Sequence, residues 1–128
     1  MVILPTAFAL GQEVVVHPRV AVEALSRNEA RAIFGMRLRQ WRDGSRIVVF
    51  VLPDTSPTHI SFAKSQLDIF PHQLRRAWDR LVFSGTGQAP IEVRSEEEMR
   101  AKVATTDGAI GYLRKEDLNA TVRVLQIR

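Results

Sequence analysis

The 128-residue chain contains no cysteine, which excludes disulfides, thiolate metal sites and thiol nucleophiles but leaves the compartment open. No apolar run approaches the length needed to span a bilayer. There is no Gly-x-Ser-x-Gly elbow for a nucleophilic serine. The one glycine-rich stretch, Ser84-Gly85-Thr86-Gly87, lacks the Gly-Lys-Ser/Thr ending of a P-loop and reads as a turn. No internal repeat or low-complexity segment is visible. What is present is ordinary: 45% apolar and 25% charged residues predict one globular domain with a real core. The net charge of +4 leans weakly toward anionic partners, although a solvated basic surface is the commoner meaning of such a balance.

Local patterning predicts alternating helices and strands. Val14-Val15-Val16 is a β-branched run, ended by Pro18, with His17 expected as a strand-end residue bonded to backbone rather than a metal ligand. Ser26 and Glu29 form a capping box that opens a short helix with Ala30, Ile33 and Phe34 inward. Gly35 is expected to end that helix in the left-handed conformation. Met36, Leu38 and Trp41 need burial, and Asp43-Gly44 turns the chain into the run Ile47–Leu52. That run is apolar throughout, so both its faces should be covered. A second helix is expected with Ile60, Ala63 and Leu67 inward, and a third, started by Pro71, with the stripe Leu74, Ala77, Trp78, Leu81 and Val82. Ile91-Glu92-Val93 alternates as a short strand, and Ser95 with Glu98 forms a second capping box ahead of Met99 and Val103. Ala109–Leu113 is strand-like, with Gly111 permitting close backbone approach. Val122–Ile127 alternates and is expected at a sheet edge. The expected fold is α/β and three-layered: a central mixed, mostly parallel sheet around Ile47–Leu52, with helices near 26–34, 58–67, 71–82 and 95–104 on both faces.

A series of short motifs carries a resemblance. Leu25-Ser26, Glu29, Ile33-Phe34-Gly35, Trp41 and Asp43-Gly44 come first; Asp54-Thr55-Ser56-Pro57-Thr58 with Phe62 follows. Trp78 with Leu81-Val82-Phe83-Ser84-Gly85, then Gly108-Ala109-Ile110-Gly111-Tyr112, complete it. In order and spacing this resembles the periplasmic phosphate-binding proteins of ABC transporters, over nearly the whole chain. The resemblance implies one lobe of a two-lobed, non-enzymatic binding protein, spanning residues 12–128, without a cofactor. It also implies the periplasm as compartment. Implied partners are phosphate or another oxyanion, and an ABC permease, an envelope protein or a second copy of the chain. A single lobe has no cleft to close, so hinge capture cannot operate within one chain.

The loop after the apolar strand is where that family's chemistry lies. Unpaired N–H groups and the dipole at a helix start favour a tetrahedral oxyanion, and hydroxyls add directed donors. The family loop reads approximately Arg-x-Asp-x-Ser-Gly-Thr, which makes Asp54, Thr55, Ser56 and Thr58 the candidate ligand-binding residues by resemblance. Two positions depart: Leu52 replaces the arginine and Pro57 replaces the glycine, removing a cation and a backbone donor. The plainer alternative is that Ser56 or Thr58 only N-caps the helix. Asp54, Ser56 and His59 crowd into six residues, unlike a catalytic triad, whose members come from distant segments.

Two further readings stay open on the sequence. Residues 1–11 are apolar, without a basic start but with the small-x-small pattern Ala7-Phe8-Ala9, and are either the tail of an export signal or an extra strand. Arg31, Arg37, Arg39, Arg42 and Arg46 surround Trp41, a pattern that would suit single-stranded nucleic acid, but no nucleic-acid motif accompanies it. The alternative function is therefore a basic protein- or nucleic-acid-interaction module with no small-molecule ligand.

Overall fold

The computed structural model describes residues 11–128. The proposed export or strand segment at the N-terminus therefore lies outside the described residues, except for Gly11. Ten elements follow in order: β1 (Gln12–Val16), β2 (Ala24–Leu25), α1 (Arg27–Phe34), β3 (Val48–Val51), α2 (Pro57–Ser65), α3 (Pro71–Ser84), β4 (Ile91–Glu92), α4 (Glu96–Thr105), β5 (Ala109–Arg114) and β6 (Arg123–Ile127). They form a six-stranded sheet in the order β2-β6-β1-β5-β3-β4. Three of its five pairings are parallel, β2 with β6, β3 with β4 and β3 with β5, while β1 runs antiparallel to both β5 and β6. The expected mixed, mostly parallel α/β architecture is observed.

Alternation along β5 separates the two helical layers. A Cβ on Gly111 would meet Met99 Sδ at 2.5 Å and Val103 at 3.1 Å, so α4 packs hard against that face. The next residue, Tyr112, points the other way and stacks on Phe62 of α2, with centroids 3.9 Å apart and planes 8° off parallel. Phe34 meets Phe62 edge-on at 4.8 Å, which brings α1 to the same face as α2. Trp78 of α3 is 1% exposed and donates its Nε1–H to the Phe34 carbonyl at 2.8 Å. That bond satisfies a carbonyl at the end of α1, which has no partner inside its own helix.

Several local expectations hold in detail. The Ser26–Glu29 capping box is closed in both directions, at 3.0 and 2.9 Å. Asp43 caps its own turn, accepting from the Ser45 amide and hydroxyl at 2.9 and 2.6 Å. His17 accepts from the Arg19 amide through Nδ1 at 3.1 Å. Trp41 is buried and donates Nε1–H to the Gly108 carbonyl at 3.1 Å, pinning the 36–47 segment to the start of β5.

Others are corrected. Gly35 is not left-handed: its φ is −80°, and Met36 takes the positive φ of 66° instead. The second capping box is half closed, because Glu98 reaches the Arg94 amide rather than that of Ser95. The run Ile47–Leu52 is interior but not central; β3 lies one strand in from the edge, and β1 and β5 occupy the middle. Val122–Ile127 is not an edge, since the two-residue β2 covers β6; β4, with Ile91 half exposed, is an edge. In α3 the inward stripe ends early, leaving Val82 54% exposed. In α2 Ala63 and, just beyond it, Leu67 are buried as expected, but Ile60 is 38% exposed and His59 beside it is fully buried in its place.

Trp78 combines the largest fully buried side chain with a buried hydrogen bond. Trp78→Ala should cost about 3–5 kcal/mol of stability. Trp78→Phe, which keeps most of the volume but orphans the Phe34 carbonyl, should cost about 1–3 kcal/mol. Urea melts of the three proteins test the order; a loss below about 1 kcal/mol for alanine would place the ring outside the load of the core.

Candidate functional site

β3 delivers the chain to a loop held at three points. Leu52, just past the strand, donates its N–H to the Tyr112 hydroxyl at 2.8 Å. The Val51 carbonyl accepts from the Val93 amide at 2.8 Å, tying the strand end to the segment after β4. Pro53 then breaks the pairing, and its carbonyl accepts from the Ser56 amide at 2.9 Å in a tight turn. α2 starts at once: Ser56 is its N-cap, Pro57 occupies the first turn, and Ser56 Oγ accepts from the His59 amide at 3.3 Å.

The four candidate residues are neighbours at this turn but do not form one set of free donors. Asp54 is engaged in a two-toothed bridge to Arg75 of α3, with Oδ2 2.8 Å from Nε and Oδ1 3.0 Å from Nη2. Hydrogen bonding from Arg75 holds the Asp54 carboxyl below its ordinary range, against the opposing effect of partial burial. Ser56 spends its oxygen on the helix start, though its hydroxyl proton remains available to an acceptor. Thr58 is almost fully buried and Thr55 is exposed. Leu52 is 2% exposed, so the position that lacks the arginine of the resembled family is part of the core.

The apolar stripe of α3 leaves Arg75 off the inward face by spacing alone, and does not show its role at the loop. The guanidinium that reaches the loop comes from 21 residues downstream, and it also lies over Trp78 with 5.1 Å from Cζ to the ring centroid. The loop therefore retains a cation, but one already neutralised by Asp54. The signal that could have found it is the helical spacing of Arg75 beside Leu74 and Trp78, both of which face the core.

His59 lies directly beneath. Its Nδ1 is 2.5 Å from the Tyr112 hydroxyl, and its Nε2 has no hydrogen bond, facing Asp54 Oδ1 at 3.9 Å. Tyr112 already accepts from Leu52, and its own proton needs an acceptor; Nδ1 provides one. The imidazole is then the neutral tautomer with its N–H on Nε2, pointing at the Asp54 carboxylate. The reverse tautomer would aim a lone pair at a carboxylate and leave the buried phenol proton unpaired. The ring does not bond to Ser56, so Asp54, Ser56 and His59 do not assemble a serine–histidine relay. Burial pushes the His59 pKa down, only partly countered by Asp54, and pushes the Tyr112 phenol far up.

Open cavities near α1, α3 and the 36–47 segment are lined by residues other than 54–58. Among the described residues no group of three His, Cys, Asp or Glu side chains could hold a metal ion. No described helix is long and apolar enough to cross a membrane. The arginine cluster is split: Arg31 donates to the Leu67 and Asp68 carbonyls, Arg42 pairs with Glu29, and buried Trp41 offers no stacking face.

No family model matches the chain. It is similar to the phosphate-binding protein PstS of Bacillus subtilis, with 27% identity over 111 residues, covering 81% of this chain and 31% of that protein. The fold matches an ABC-type phosphate transport receptor from Vibrio cholerae, with a TM-score of 0.71 and 18% identity over 91% of this chain and 46% of the other. It also matches PstS from Borrelia burgdorferi, with a TM-score of 0.70 and 16% identity over 92% of this chain and 47% of the other. The chain thus spans under half the length of these structures and about a third of the curated relative. It has the fold of one lobe of a phosphate-binding substrate-binding protein, as the sequence motifs implied.

The buried imidazole makes stability depend on pH in a defined window. The unfolded chain takes up this proton near the ordinary value of 6.5, and the folded chain only at lower pH. The unfolded state therefore binds more protons below about pH 6.5, and stability should fall as pH drops through that range. Asp54, whose carboxyl is held below 3.8, keeps its own contribution until more acid conditions. His59→Gln should flatten the stability profile between about pH 5 and pH 7. Denaturant titrations across that range test this; a mutant with the parent's slope would mean that His59 titrates no differently in the folded chain.

Proposed function

We propose that this chain is a non-enzymatic, solute-binding-protein-like module of phosphate transport, with weak oxyanion binding at the Asp54–Thr58 turn. The observation that carries the reading is the coincidence of a phosphate-receptor lobe fold with a hydroxyl-bearing turn at the start of α2. Ser56 and Thr58, with the amides of that first turn, are the proposed donors, and Thr55 is the exposed hydroxyl at its rim. Asp54 is proposed to act through Arg75: the bridge keeps a bare carboxylate from repelling the anion.

The same residues argue for weakness. Pro57 supplies no N–H, Leu52 supplies no charge, and Arg75 is shared with Asp54. Each missing charge-assisted hydrogen bond forfeits on the order of 1.5–3 kcal/mol. Losing several takes a tight site to about millimolar affinity. Function would then rest on pairing at this face with another chain, whether a permease, an envelope protein or a second copy, that contributes donors and excludes water. The periplasm is the compartment this proposal implies.

Isothermal titration of inorganic phosphate into the parent and into the Ser56→Ala/Thr58→Ala double mutant tests the reading. The expected result is a dissociation constant of about 1 mM that weakens with salt and is lost in the mutant. Micromolar binding by the chain alone would refute the argument for weakness. Binding unchanged in the double mutant would refute the site.

A further inference from the structure

A basic surface lies away from the turn, on the outer side of α1 and α3. One cavity of about 490 Å³ sits between these helices, and another of about 630 Å³ opens beside the 36–47 segment. Arg37 lines both, so they adjoin. Arg80 also lines the first, and Arg39 and Arg46 line the second. No aspartate or glutamate lines either cavity.

The pairing of charges elsewhere makes this unusual. Asp68 is committed to Arg27 and Arg31, Glu29 to Arg42, and Asp54 to Arg75. By contrast, the guanidinium groups of Arg37, Arg39, Arg46 and Arg80 make no hydrogen bond or ion pair with another described residue. Four uncompensated cations thus border two adjoining hollows. Their linings also include apolar surface, with Ile69 and Leu81 in the first and Leu38, 37% exposed, in the second.

From this charge complementarity we propose that the face binds an acidic protein segment carrying apolar side chains, long enough to reach both cavities. Acidic residues would meet the guanidinium rims as forked pairs, while an apolar side chain fills each floor. Single-stranded nucleic acid fits less well. Such binding stacks bases on aromatic faces, and no aromatic residue lines either cavity. A lone inorganic anion would leave the apolar floors unused. The inference is independent of the turn at Asp54–Thr58, because none of these residues touches it.

The test uses the full chain and a fluorescein-labelled peptide rich in Glu and Asp with one Leu and one Phe, read by anisotropy. A saturable, salt-sensitive rise is expected. Arg37→Glu and Arg80→Glu should each weaken binding about tenfold, and Arg94→Glu, an equal charge change outside both cavities, by less than about twofold. An all-Glu peptide of the same length should bind more weakly than the mixed one. The Ser56→Ala/Thr58→Ala mutant should bind the peptide as the parent does, which separates this surface from the oxyanion turn. The proposal is overturned if no saturable binding occurs, or if Arg94→Glu weakens binding as much as Arg37→Glu. It is equally overturned if oligothymidylate binds more tightly than the peptide and is lost in the same variants.

Discussion

The Tyr112 hydroxyl is the joint on which the functional end of this domain depends. It accepts the Leu52 amide where β3 leaves the sheet and gives its proton to the buried imidazole of His59. One oxygen thereby connects β5, the exit of β3 and the first turn of α2. The ring beneath is locked by its stack on Phe62, which in turn meets Phe34. Buried polar atoms this far from water are costly unless paired, so the three groups hold one another to a single arrangement. The turn at residues 53–57 has its shape because both ends are held: strand and phenol on one side, capped helix on the other.

This joint also explains how charge is distributed around the turn. Asp54 sits between a neutral imidazole N–H and a guanidinium, and its charge is spent before any ligand arrives. A site of this kind is polar and ordered but electrically almost balanced. The surplus of positive charge is carried elsewhere, on Arg80 of α3 and on Arg37, Arg39 and Arg46 of the 36–47 segment, which have no carboxylate beside them. The domain therefore presents a balanced turn on one face and an uncompensated basic face on another. These are chemically different surfaces and suit different partners.

The legibility of these features from the chain alone was uneven, for reasons that can be located. Helix starts were readable because capping is local: Ser26 and Glu29, three residues apart, satisfy one another's backbone amides whatever lies beyond. The Ser95–Glu98 pair shows the limit, since Glu98 had a second amide within reach at Arg94 and took it. Trp41 was readable as a plug, but the Gly108 carbonyl that receives its N–H is 67 residues away. The edge assignments failed because an edge is a property of neighbours. Alternation in Val122–Ile127 is the pattern of a half-covered strand, and only the placement of Ala24–Leu25 beside it moves it inward.

What the sequence by itself determined is the class of fold, the existence of each helix and of every strand except β2, and the presence of a hydroxyl-rich turn after an apolar strand. These follow from periodicity and capping, interactions that reach only a few residues along the chain. What only the tertiary structure decided is which side chains the turn can spend. The choice of His59 over Ile60 for the interior depended on a tyrosine 53 residues away that could pair with it. The neutralisation of Asp54 depended on Arg75, brought across by the packing of Trp78 under Phe34. Burying a polar group is favourable only when its partner is already in place, and long-range partners have no signature in local spacing.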